Sequence, residues 1–174
     1  AIMPVEVGGM NTLIPLAVAA ELGVPCVDAD GMRRAFPQIE MTTFTLGGLT
    51  ASPMSLADEK GNRVAFETTT NLMGEKLVRG SAMMLGLANA LASYPMTVAQ
   101  AKTAAISGSM EYCSQVGGLL LDIQRQKEDG WDRLLEFTEG RIMFEGKIID
   151  VDRRTTTGFA RGTVTIEDFT DPSR

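Results

Sequence analysis

Three features of the sequence predict an α/β fold, with a small partly parallel sheet and helices, followed by the beginning of a β-rich region. The first is the opening order over Ile2 to Asp28, which reads strand, Gly-Gly turn, helix and strand, the order of a βαβ unit with parallel strands. The second is a helical middle running from Asn71 to Phe137. The third is a return to strand-like patterning from Arg141 onward. The change of period and charge near Gly140 divides the chain into an α/β domain over residues 1–140 and the start of a β-rich domain over 141–174. With 174 residues, 44% of them hydrophobic, a buried core is within reach and global disorder is excluded.

Each element has a local reason. Ile2 to Val7 alternates like a short strand, Asn11 or Thr12 can cap the helix that follows, and Gly23 is a natural stop for it. Val24 to Asp28 reads as a second strand, Gly31 to Phe36 as a helical turn ended by Pro37, and Ile39 to Leu46 as a third strand closed by Gly47-Gly48. Asp58 to Asn62 is a polar loop between two strand-like runs, Ala51 to Ala57 and Arg63 to Thr68, which predicts a hairpin. A long helix is expected over Leu72 to Ser93, apolar nearly all round in its second half and therefore buried. Thr97 to Gln100 fits a capping box for a helix to Ile106. Further helices are expected over Ser109 to Lys127, with Gly117-Gly118 as a weak point, and over Trp131 to Phe137. Strands are then expected over Arg141 to Glu145, Lys147 to Arg153 and Phe159 to Glu167, with turns at Gly146 and Thr157-Gly158. So few strands cannot bury a core alone, so this region must pack on the first part, pair with another chain or begin a larger β domain.

Composition narrows the chemistry. There is no histidine, so no imidazole base, ligand or triad is available within these residues. The net charge is -6 and no basic block is present, which argues against nucleic acid as a partner. Cys26 and Cys113 form no paired motif, so a reducing cytoplasm is the expected compartment. The most apolar stretch, Ala82 to Ala92, is about half the ~20 residues of a membrane span, so no membrane partner is expected.

Three constellations could carry chemistry. Glu6, Gly8, Gly9 and Asn11 lie at a strand-to-helix turn, where free N–H groups favour an anion or a carbonyl oxygen. An ordinary tight turn with a helix cap is the plain alternative. Asp28 and Asp30 close a strand, where open α/β sheets place ligands; either can act as a general base or hold a hard divalent cation. Capping and solvation are the plain alternative, and Arg33 and Arg34 stand close enough to neutralise the pair. Thr42 and Thr43, in a hydroxyl-rich run, suit a neutral heterocycle with alternating N–H and C=O groups, although threonine is also a good strand residue. Neither cysteine is expected to be a nucleophile.

The runs Pro4-Val5-Glu6-Val7-Gly8-Gly9-Met10-Asn11, Val27-Asp28-Ala29-Asp30-Gly31-Met32, Arg34-Ala35-Phe36-Pro37 and Gly158-Phe159-Ala160-Arg161-Gly162 resemble a bacterial family formerly of unknown function. That family is associated with S-methyl thiohydantoin desulfurase and is found beside hydantoinase/oxoprolinase proteins. Its members are about twice as long, with an α/β part followed by a β-rich part, so the resemblance implies a fragment of a longer protein. It further implies a cytoplasmic role on hydantoin-like cyclic amides, with water replacing a methylthio group. On this reading Asp28, Asp30 and Glu6 are the catalytic candidates and Gly8, Gly9 and Asn11 bind substrate, with Thr42 and Thr43 added from the hydroxyl-rich run, and a divalent cation is left open. Two alternatives stand beside it: a non-catalytic binding or assembly partner of a hydantoinase-type enzyme, and a ring-opening amidohydrolase. A homo-oligomer is a further possible assembly.

Overall fold

The computed structural model describes residues 1–127, 130–156 and 159–169. It is a mixed α/β structure of two compact units, Ala1–Ser114 and Gln115–Arg174. The first unit opens with α1, Gly9–Leu22, which ends where Gly23 takes a left-handed φ of 63°. The expected parallel pairing around α1 is reduced to one bridge, Ile2 with Cys26. The Ile2 N–H donates to the Pro25 carbonyl at 2.9 Å and the Val27 N–H to the Ile2 carbonyl at 2.8 Å. The next rung would need a donor at Pro4, which has no N–H, so the ladder stops.

All other pairing among the described strands is antiparallel. The short β1, Ala29–Asp30, pairs with β5, Ile106–Ser107. Between them in sequence lies a three-stranded sheet in which β2, Met54–Asp58, is flanked by β3, Arg63–Phe66, and β4, Asn89–Ala92. The β2–β3 hairpin is the expected one. Asp58 closes its loop by accepting from the Lys60 and Asn62 N–H groups and the Asn62 amide. The Asn62 side chain is the main reason the Asp58 carboxyl sits below the usual carboxylate range; desolvation, next in size, opposes it, and those two N–H groups and the Lys60 charge add to the lowering.

Other expected elements differ, and Gly31 to Phe36 is irregular chain rather than a helical turn. Ile39 to Leu46 is not a strand: Thr42 caps the short helix α2, Thr43–Leu46, its hydroxyl accepting from the Thr45 N–H. Threonine is favoured both in strands and at N-caps, and here the cap geometry prevails. The long helix over Leu72 to Ser93 is cut to α3, Asn71–Met84. Gly86 at φ 84° and Leu87 at φ 69° reverse the chain, and the remaining apolar run becomes β4 against β2. An apolar run reads equally well as buried helix or buried strand, and here the free edge of β2 decides. The core of this unit gathers Phe44, Ala51, Met54, Leu56, Val78, Tyr94 and Ala104.

The helix α4, Val98–Ala104, carries the expected capping box in full, Thr97 accepting from the Gln100 N–H and Gln100 from the Thr97 N–H. Thr97→Ala is expected to cost about 1 kcal/mol of stability, measurable as a shifted denaturation midpoint. The helix α5, Ser109–Gln126, runs through Gly117-Gly118 without a break and passes from the first unit into the second. In the second unit α6, Trp131–Thr138, is followed by a two-stranded ribbon of β6, Gly146–Thr156, and β7, Phe159–Asp168. Arg141 to Glu145 is not a strand. The expected turn at Thr157-Gly158 lies outside the described residues. No helix among the described residues is long and apolar enough to cross a membrane.

Candidate functional site

Asp30 is fully buried, at 0% exposure, and both its oxygens accept hydrogen bonds. Oδ2 accepts from the Val7 N–H at 2.9 Å, and the Arg33 N–H donates to both oxygens at 2.9 and 2.8 Å. Oδ1 also accepts from the Ser109 hydroxyl at 2.7 Å. One carboxylate thus ties together the segment before α1, the turn after β1 and the start of α5. Such convergence of neutral donors lets a charge be held without a cationic side chain bonded to it.

Asp28 is different. It is exposed, its Oδ1 accepts from the Met110 N–H at 2.7 Å, and its carbonyl accepts from the Gly108 N–H. It therefore marks the N-terminus of α5, where a carboxylate is favoured. Glu6 is also engaged, one oxygen accepting from the Asn11 amide at 2.7 Å and the other from the Phe36 N–H at 2.5 Å. Asn11 thereby holds Glu6 rather than capping α1. The Gly8 N–H goes to the Thr12 hydroxyl at 3.1 Å, which leaves the N–H groups of Gly9, Met10 and Asn11 without acceptors among the described residues. No side chain would meet an obstacle at Gly9, so its surroundings are open.

Directly after Asp30, Gly31 enters the wall of an open, mainly apolar pocket of about 240 Å³. The wall is formed by Gly31 and Met32, the run Glu40 to Thr43, Leu46 and Ile106. The Gly31 carbonyl accepts from the Thr43 N–H and hydroxyl at 2.9 and 3.2 Å. Gly31 is glycine for a steric reason, because a Cβ there would lie 2.9 Å from the Phe44 ring and 3.0 Å from the Thr42 Cβ. Gly31→Ala is expected to destabilise the protein by about 1–3 kcal/mol and to distort the pocket wall, checked by thermal denaturation beside a pocket-distant Gly→Ala control.

The structure thus joins Asp30 to the Val7-Gly8 segment and sets Thr42 and Thr43 on the adjoining pocket, while Asp28 stands at the α5 end. A sequence reading passes over Ser109 and Glu40. Ser109 is the donor to Asp30, and its signal is a serine at a helix start. Glu40 lines the pocket, and its Oε2 is buried with no hydrogen-bond partner among the described residues. Its signal is a lone acid between the apolar Ile39 and Met41.

Among the described residues, no group of three or more His, Cys, Asp or Glu side chains is placed to hold a metal ion. The oxygens of Asp30 are taken by N–H and O–H donors that a cation would have to displace, so the donor set does not fit one there. Both thiols are pushed up, Cys26 by burial and then Asp28, Cys113 by burial and then Asp30, with Arg33 opposing and Asp28 adding. Raised thiols stay protonated near neutrality and are poor nucleophiles.

Two family models together span the chain: the S-Me-THD-like N-terminal domain over residues 1–68 and the S-Me-THD-like C-terminal domain over residues 69–174. No curated protein matches. A protein from Chromobacterium violaceum, solved by X-ray crystallography as a structural genomics target, is 25% identical with a TM-score of 0.71. The match covers 96% of this chain and 46% of that protein, so this chain spans less than half of the relative's length. The chain belongs to the S-Me-THD-like family, that of the S-methyl thiohydantoin desulfurase-like proteins.

Proposed function

We propose that this chain forms part of a cytoplasmic enzyme that replaces the methylthio group of an S-methyl thiohydantoin with water. The reading rests on family membership and on one observation: the pocket lined by Gly31, Thr42 and Thr43 adjoins the buried Asp30 that fastens the Val7-Gly8 segment. In the reaction, water adds to the ring carbon bearing sulfur and the C–S bond breaks. Methanethiol leaves, and the ring retains a carbonyl and an adjacent N–H. Asp28, exposed and with only Oδ1 engaged, is the group assigned to orient the water and take its proton. Asp30 is assigned a positioning role, because its lone pairs are already used. The free N–H groups of Gly9 to Asn11 are assigned to a ring carbonyl, and Glu6 to holding Asn11 in place.

The test is thiol release from S-methyl thiohydantoins by the full-length protein. Asp28→Asn is expected to lower it roughly a hundredfold without lowering the melting temperature by more than a few degrees. Unchanged turnover in both Asp28→Asn and Asp30→Asn sinks the assignment, and a carbamoyl product in place of thiol favours ring-opening hydrolysis.

A second reading, an assembly role beside a hydantoinase-type partner or a second copy, is favoured by exposed apolar surface. Met10, Leu13, Ile14 and Leu16 are exposed on α1, as are Ile148, Ile149, Val151 and Val164 on the β6–β7 ribbon. A two-stranded ribbon is not stable alone, and such residues call for cover. Stable copurification with a partner and no thiol release would select this reading.

A further inference from the structure

We infer that Glu40 is the specificity group of the pocket beside Asp30, accepting a ring N–H of a cyclic amide whose neighbouring carbonyl takes the Thr42 O–H. The inference rests on the proposed cyclic-amide reading and adds to it the part of the ring that is read and the residue that reads it.

Four observations carry it. Glu40 Oε2 is buried and has no hydrogen-bond partner among the described residues. A buried acceptor without a donor is costly, and because Glu40 lines the pocket, a ligand N–H bound there would supply its carboxyl with the missing donor. The backbone that carries it is fixed on both sides. The Ile39 N–H donates to Glu75 Oε2 at 2.9 Å, the Ile39 carbonyl accepts from the Tyr94 hydroxyl at 2.9 Å, and the Met41 N–H donates to the Gln38 carbonyl. Glu40 is therefore presented by a pinned turn and is pre-organised for a ligand.

Thr42, two residues on, supplies the complementary group. Its hydroxyl accepts from the Thr45 N–H and so retains its own O–H to give. Glu40 and Thr42 thus put an acceptor and a donor in the wall of one pocket, the chemical complement of an amide's N–H and C=O. The volume of about 240 Å³ lies below the roughly 300–1,000 Å³ of drug-sized sites, which limits the occupant to about one ring with a short substituent. The apolar Met32, Met41, Leu46 and Ile106 in the wall suit that substituent.

The test is calorimetric binding of hydantoin, N1-methylhydantoin and N3-methylhydantoin to the full chain, which needs no turnover. Methylation of the nitrogen facing Glu40 is expected to weaken binding about tenfold or more, and methylation of the other nitrogen much less. In Glu40→Met the difference between the two methylated compounds should vanish. No binding of hydantoin, equal binding of all three compounds by the unaltered protein, or a difference that persists in Glu40→Met would overturn the proposal. The comparison within the unaltered protein stands even if the variant does not fold. N–H discrimination without thiol release would retire the desulfurase reading and keep this one. Thiol release with no dependence on ring methylation would do the reverse.

Discussion

Asp30→Ala is expected to lower the free energy of unfolding by about 3–5 kcal/mol, read from urea denaturation. The substitution removes the acceptor for the Val7 and Arg33 N–H groups and the Ser109 hydroxyl in a site at 0% exposure. The serine can turn to the Ile106 carbonyl, 2.9 Å away, but the backbone donors have no such recourse. Asp30→Asn is expected to cost only about 1–2 kcal/mol. Its remaining oxygen can serve Val7 and Arg33, while Ser109 accepts from the new amide and donates to Ile106. A cost for Asn equal to that for Ala would show that charge, and not the count of acceptors, holds this junction.

Asn71→Ala is expected to cost about 2–4 kcal/mol. Asn71 Oδ1 accepts from the N–H of the fully buried Ala51 at 2.8 Å, and its amide donates to the Leu49 carbonyl and the Thr45 hydroxyl, both at 3.0 Å. The Thr45 and Tyr94 hydroxyls keep each other at 2.8 Å, so the groups left unpaired are the Ala51 N–H and the Leu49 carbonyl. Asn71→Asp keeps the first contact and sets oxygen against oxygen at the second, so it should be at least as damaging at neutral pH. Guanidinium denaturation of the two variants tests the ordering. Asn71 lies within the C-terminal family model and its partners Thr45, Leu49 and Ala51 within the N-terminal one, so this residue stitches the two inside one compact unit.

What was legible in the sequence follows from how local its cause is. The stop of α1 at Gly23, the Thr97-Gln100 box and the Asp58-Asn62 loop each depend on residues within five positions of one another, and each stands as read. The run from Ala82 to Ala92 was not legible, because whether it coils or extends depends on an edge offered by β2 about thirty residues away. Thr42 to Thr45 misled for a similar reason, since its helix is fixed by Gly31, whose carbonyl receives the Thr43 N–H. At the site, the acidic and glycine-rich stretches were visible as candidates. That Val7 and Ser109 engage Asp30, that Met110 takes one oxygen of Asp28, and that Glu40 Oε2 is buried without a partner among the described residues depends on residues distant in the chain.

The sequence by itself determined the α/β class, the caps, the absence of imidazole and the family motifs, because composition and short-range spacing suffice for these. The tertiary structure alone decided that parallel pairing ends at Pro4, that the apolar run joins a sheet, and which donors each carboxylate engages. Hydrogen-bond satisfaction is settled by groups far apart in the chain, and only the fold brings them within 3 Å of one another.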